Sequence, residues 1–253
     1  MKIAITNTKG GVGKTTTAVE LAAGLARSGR RTVLADMDPA GAASWALGVA
    51  EEGAFSVGHA ILDGVGLEKV IRPTYLDLLR VLPGSERVAD IGPSTPLGSL
   101  AGVLEGLSAD TDVIVIDSPP TLSPAFQMAL LTADAALLVT SAHPHGARGL
   151  WGFLRELARL DGEYEEAVPK RLGVLLTHYD TRSRVSSDVE SEMRSQMGSL
   201  ILDTVVRLDV QVQRAPEYGR ALWDLDPTSR AAQDYSYVLE EVVTRARQEG
   251  LIS

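Results

Sequence analysis

The chain has 253 residues, 45% of them hydrophobic, enough to bury one large α/β core. It contains no cysteine, which excludes disulfides, thiolate zinc sites and cysteine-ligated iron–sulfur clusters. Its formal net charge of −9 excludes a general coat of positive charge, so any nucleic-acid contact must come from a local patch.

Short apolar runs alternate with amphipathic stretches along the chain, the pattern of a parallel sheet flanked by helices. Strands are predicted over 3–5 and 31–35, separated by a helix over 17–26 that Ser28-Gly29 closes. Residues 42–70 read as helix and loop, punctuated by Gly53, Gly58, Gly64 and Gly66. A strand over 76–82 ends at Pro83-Gly84, and an amphipathic helix follows over 97–107. The fully apolar strand 113–116 stops at Ser118-Pro119-Pro120. Beyond it come a helix over 125–131, a strand over 135–139, a helix over 148–160 and a strand over 172–176. A polar helix over 185–197, a strand over 200–206 and a helix over 229–248 complete the chain. The expected fold is α/β: a three-layer, mostly parallel twisted sheet flanked by helices. No repeat or linker divides it, so residues 1–253 are expected to form one domain, without a separate N-terminal domain. No apolar run is long enough to span a bilayer and no signal peptide is expected, which makes a cytoplasmic location the default.

Between the first strand and first helix stands Lys9-Gly10-Gly11-Val12-Gly13-Lys14-Thr15-Thr16. A strand, a glycine loop and a helix in that order build a phosphate cradle, because residues without Cβ let successive N–H groups turn inward and the helix end adds positive potential. Lys14 is the candidate for reaching the β- and γ-phosphates, and Thr15 for ligating Mg²⁺. The strict motif needs a glycine where Thr8 stands, and a second lysine, Lys9, opens the loop instead. The alternative is a ligand-free glycine turn.

Ligands of open α/β sheets bind at the carboxyl ends of the strands. The loop 9–15, the run Asp36-Met37-Asp38-Pro39 and Asp117 each follow a predicted strand and so meet at one sheet edge. Asp117, after four apolar residues, has the Walker B arrangement for holding Mg²⁺ directly or through water. Asp38 is a candidate for positioning the attacking water, and Asp36 for the outer shell of the metal. The competing readings are a helix cap for Asp117 and a simple turn for Asp38-Pro39.

These residues resemble the deviant Walker A ATPases of the ParA/MinD group. Gly173-Val174-Leu175-Leu176-Thr177-x-Tyr179-Asp180-x-Arg182, Ala215-Pro216-x-Tyr218-Gly219 and Asp226-Pro227-x-Ser229-x-x-Ala232 extend the likeness to the short, Soj-like partition ATPases over essentially the whole chain. The resemblance implies a switch that binds ATP and Mg²⁺ and dimerises around two nucleotides. In it Lys9 reaches the phosphates of the partner subunit and joins Lys14 and Asp38 in catalysis. It also implies a ParB-like activator and non-specific DNA binding by the ATP dimer, which would place the protein on the nucleoid. Arg182, Arg184, Arg214, Arg220 and Arg230 are the candidate DNA contacts. The chain departs from the family at Ala40, where glutamine is usual, and at Gln211, where a DNA-contacting arginine is expected.

His143-Pro144-His145 is expected to be a packing loop rather than a metal site, since no third ligand is visible. Trp45, Trp151 and Trp223 are expected in the core or an interface. A MinD-like membrane switch, or an orphan switch positioning a protein cargo, is the alternative function. The membrane version needs a basic amphipathic tail, whereas the apolar stripe of the closing helix suits packing and only Gly250-Leu251-Ile252-Ser253 is left beyond Glu249. A P-loop metabolic enzyme is the third class, and nothing in the sequence supplies its substrate pocket.

Overall fold

A computed structural model describes residues 1–163 and 168–252. Ser253, the last of the four tail residues, lies outside them. Eight strands form one sheet: β1 (Lys2–Thr6), β2 (Thr32–Asp36), β3 (Arg72–Pro73), β4 (Leu79–Leu82), β5 (Val113–Asp117), β6 (Ala135–Ser141), β7 (Lys170–Tyr179) and β8 (Ile201–Arg207), in the order β3-β4-β2-β5-β1-β6-β7-β8. All pairings are parallel except β3 with β4. The helices are α1 (Lys14–Arg27), α2 (Ala42–Ala46), α3 (Val57–Asp63), α4 (Leu67–Val70), α5 (Ser99–Glu105), α6 (Pro124–Thr132), α7 (Pro144–Glu163), α8 (Arg184–Met197), α9 (Gln211–Arg214), α10 (Leu222–Leu225) and α11 (Arg230–Gln248).

Strand side chains alternate between the two faces, and the core divides accordingly. Ile3, Ile5, Val113, Val115, Leu137 and Val139 pack against α1 and α11 on one face. On the other, Ala4, Val33, Ile114 and Ile116 meet α3, α5 and α6, while Leu138, Val174 and Leu176 meet α7 and α8. The expected three-layer architecture is therefore present. Ser123 and Ser229 set two helix starts, their side chains accepting the N–H groups of Phe126 and Ala232 at 3.2 Å each.

Several expected boundaries move for local reasons. The strand at 76–82 shortens to Leu79–Leu82 because residues 74–79 close a turn, with Leu79 N–H donating to the Leu76 carbonyl (2.9 Å) and the Thr74 hydroxyl to the Leu79 carbonyl (2.9 Å). The expected packing loop at His143–His145 is instead the entry of α7, which begins at Pro144. Proline suits a first helical turn, where its missing N–H costs nothing. The antiparallel edge strand β3 and the short helices after β8 had no signal in the sequence. Trp45 is 53% exposed and so is no part of the core.

Strand β8 lies at an edge of the sheet, and α11 covers its unpaired donors. The Glu241 carboxylate accepts the Asp203 and Thr204 N–H groups (2.9 and 3.0 Å), and Asp234 accepts that of Arg207 (2.9 Å). Carboxylates on a neighbouring helix thus block strand addition at this edge. No helix among the described residues is long and apolar enough to cross a membrane.

Candidate functional site

The loop leaving β1 owes its shape to Gly11 and Gly13, whose φ angles of 69° and 86° favour residues without Cβ. Asn7, fully buried, anchors its start: Nδ2 donates to the Val139 carbonyl (2.7 Å), and Oδ1 accepts the Lys9 N–H (3.1 Å). From β7 the Thr177 hydroxyl donates to the Val12 carbonyl (2.7 Å). Gly13 precedes α1 without a side-chain cap, which leaves the first-turn amides to an incoming anion. Around them opens a cleft of ≈ 290 Å³, lined by the loop and the first turn of α1, and faced by Asp38, Pro120 and His178. The structure brings the candidate phosphate residues Gly10, Gly11, Gly13, Lys14, Thr15 and Thr16 together with Asp38; Val12 is turned into the core.

The two lysines behave differently. Lys14 is almost buried, its ammonium donating to the Lys9 carbonyl (2.9 Å). Desolvation lowers its pKa, opposed by the charges of Asp117 and Asp38. Lys9 is absent from the residues lining its own cleft. Its stem lies against α7, where a Cβ placed on Gly149 would sit 3.4 Å from Lys9 Cδ.

The acidic residues divide into three settings. Asp36 and Asp117 are register neighbours on β2 and β5, both fully buried. Asp36 holds the following segment: Oδ2 accepts the N–H and hydroxyl of Ser44 (2.9 and 2.7 Å), and Oδ1 accepts the Asp38 N–H (3.1 Å). Burial pushes its pKa up to about 6. Asp117 has no such partners. Neither of its oxygens makes a well-formed hydrogen bond among the described residues, although the neighbouring Thr15 hydroxyl and Lys14 ease its ionisation. Burial, then the Asp36 charge, pushes its pKa well up. A buried carboxylate left without a donor carries a high desolvation cost unless a cation or proton compensates it. That orphaned group beside a threonine hydroxyl fits a hard cation such as Mg²⁺, whose remaining ligands are waters and phosphate oxygens. No cluster of three His, Asp or Glu side chains among the described residues makes a metal site by itself.

Asp38 accepts the Ala40 N–H through Oδ1 (2.9 Å), and its carbonyl accepts the Gly41 N–H (2.9 Å). It is thus a turn residue and a cleft residue at once.

The five candidate DNA arginines follow the adjacent strands β7 and β8. The Arg182 side chain is 90% exposed, 3.4 Å from Asp180. Arg184 opens α8, Arg214 closes α9 and Arg230 opens α11. Arg220 lies over the Tyr75 ring, 5.1 Å from its centroid. Gln211 is turned aside, its amide donating to Asp226 (3.3 Å).

One buried acid escaped sequence reading. Glu20 sits on the inner face of α1 and accepts the Leu222 N–H (2.9 Å), tying the phosphate helix to the segment after β8. Its signal was present as a lone acid among the apolar residues of the helix. Burial raises its pKa from 4.5 to about 8. A raised acid stabilises the fold fully below its unfolded pKa, and that contribution falls as pH rises toward the folded value. Stability should therefore decline between about pH 4.5 and 8 by up to about 1.4 kcal/mol per unit from this group. Denaturant titrations of Glu20→Gln across that range should show the slope flattened; a slope equal to wild type would remove Glu20 as its source.

An AAA domain family profile matches residues 1–169. Over 250 residues the chain is 34% identical to the chromosome-partitioning ATPase Soj of Thermus thermophilus, covering 98% of this chain and 97% of that one. The chain belongs to the ParA/MinD family of P-loop ATPases. Solved ParA/MinD structures superpose closely. The cell division ATPase MinD of Pyrococcus furiosus matches with a TM-score of 0.79 and 26% identity, covering 96% of this chain and 98% of that one. MinD of Pyrococcus horikoshii, solved as its Mg-ADP complex, matches with a TM-score of 0.76 and 25% identity over 95% of each chain. The glycine loop, the Asp36–Asp38 segment and Asp117 therefore meet at one sheet edge in a fold shared with nucleotide-binding ParA/MinD proteins.

Proposed function

We propose that the protein is an ATP-dependent switch of the ParA type, acting in chromosome or plasmid partition in the cytoplasm. Its ATP-bound dimer binds DNA without sequence preference on the nucleoid and hydrolyses ATP slowly until a ParB-like partner stimulates it. The supporting observation is the placement of Lys9, which opens the phosphate loop yet lies against Gly149 outside its own cleft. A lysine whose stem leans on α7 suits delivery of its ammonium to a second protomer across a two-fold axis.

Within one site, Lys14 and the amides of the loop bind the β- and γ-phosphates, and Thr15 with Asp117 holds Mg²⁺. Asp36 fixes the segment that carries Asp38, keeping the metal's outer shell in shape. Bound Mg²⁺ would neutralise charge on the transferring phosphoryl group. Asp38 orients the attacking water, and Lys9 of each protomer meets the charge developing in the other's site. Arg182, Arg184, Arg214, Arg220 and Arg230 supply the DNA contacts. With net charge −9 the DNA affinity rests on this local set and should fall steeply with salt.

The test is DNA binding with ATP, ADP and a slowly hydrolysed analogue across a salt series, for wild type and Lys9→Ala. A salt-weakened shift specific to triphosphate, lost in Lys9→Ala together with self-association, is the expected result. Absence of any shift at low salt would overturn the DNA reading and leave a switch with a protein cargo. Unchanged self-association and turnover in Lys9→Ala would overturn the cross-subunit lysine.

A further inference from the structure

His178 is the one non-glycine residue with positive φ among the described residues, at 53°. It lies near the end of β7 and lines the phosphate cleft, facing the loop together with Asp38 and Pro120. Its backbone is fixed from both sides. The Thr177 hydroxyl is bonded to the Val12 and Thr140 carbonyls (2.7 and 3.2 Å), and the Thr177 carbonyl accepts the Ala142 N–H (2.8 Å). On the other side the Tyr179 carbonyl accepts the Leu208 N–H (3.0 Å). The flanking bonds thus tie the residue to the phosphate loop, to the β6 end and to the segment after β8. The pairing of β7 with β8 also shifts register between Leu176 and Tyr179, around His178. A left-handed residue with a Cβ is costly and persists where its surroundings over-determine it, commonly at ligand sites. Glycine or asparagine would meet the backbone requirement more easily. The imidazole adds a rigid ring whose Nε2 reaches further from the backbone than the amide of asparagine, at a residue lining the anion cradle. Desolvation lowers its pKa, and in either protonation state the ring keeps at least one N–H donor.

We propose that His178 contacts the bound nucleotide, its ring N–H donating to an oxygen of the polyphosphate. The cradle would then be closed by three kinds of donor: backbone amides, the Lys14 ammonium and an imidazole N–H. The assignment rests on the nucleotide-binding reading above, and the experiment separates the two.

Calorimetric titration of ATP, ADP and AMP in Mg²⁺ buffer should be run on the full chain, for wild type, His178→Asn, His178→Gln and Lys14→Ala. Asparagine keeps the left-handed backbone comfortable while removing the ring. His178→Asn should melt at or above the wild-type temperature yet bind ATP and ADP about 10-fold more weakly, the loss expected for one hydrogen bond to a charged group. Glutamine, whose amide N–H reaches further than that of asparagine, should recover part of that loss. AMP affinity should barely change. Wild-type affinity for ATP in His178→Asn, or an equal loss for all three nucleotides, would overturn the contact. Failure of wild type itself to bind ATP would overturn the nucleotide reading instead.

Discussion

Lys14→Ala is expected to lose productive ATP binding and to reduce turnover by at least ~10²-fold, the scale seen when one preorganised transition-state donor is removed. The protein holds this ammonium almost out of water, at 6% exposure, with the Lys9 carbonyl as its one hydrogen-bond acceptor among the described residues. Desolvation already works against its charge, as the lowered pKa shows, so the folded state gains little from it. A triphosphate supplies the negative charge that repays this cost. The variant should therefore melt at the wild-type temperature or slightly above, while titration with Mg-ATP gives no saturable heat. Phosphate release and calorimetry measured together decide the matter. Binding of Mg-ATP at wild-type strength would remove Lys14 from the phosphate site.

Asp38→Ala should have the opposite signature: ATP retained, chemistry lost. Water-positioning carboxylates contribute about 10² to 10⁴ in rate. Asp38 lines the cleft, and one of its oxygens is spent on the Ala40 N–H. The adjacent anchor, Asp36, holds the segment through Ser44 independently of the Asp38 side chain. Removing the Asp38 carboxylate should thus leave the segment in place and accumulate an ATP-bound dimer. Sedimentation velocity with ATP should show a persistent dimer, and a single-turnover assay should show hydrolysis slowed by that factor. A variant that hydrolyses ATP at the wild-type rate, or that stays monomeric with ATP, would count against the assignment.

The sequence by itself determined the layered α/β fold, because the short apolar runs Ile3–Ile5, Val113–Ile116 and Ala135–Val139 alternate with amphipathic helical stretches, the pattern of buried parallel strands. It also determined the cradle, since Gly11 and Gly13 carry the left-handed conformations that the turn requires. It placed the acidic groups at strand ends, where the topology gathers them. Two features of the site were beyond its reach. Whether Asp36 or Asp117 keeps free oxygens depends on Ser44, a residue eight positions from Asp36 whose hydroxyl takes up one of the two carboxylates. Whether Lys9 lines its own cleft or leans on Gly149 depends on a helix 140 residues away. Glu20 and His178 belong to the same class. The first stands in the sequence as a lone acid among apolar helix residues and the second as a strand residue, but their burial and backbone are set by α10 and by the loop contacts. Periodicity and motif spacing report what a segment does with its neighbours in the chain; the protonation and pairing of a buried side chain are set by what packs against it from elsewhere, and that only the tertiary structure decided.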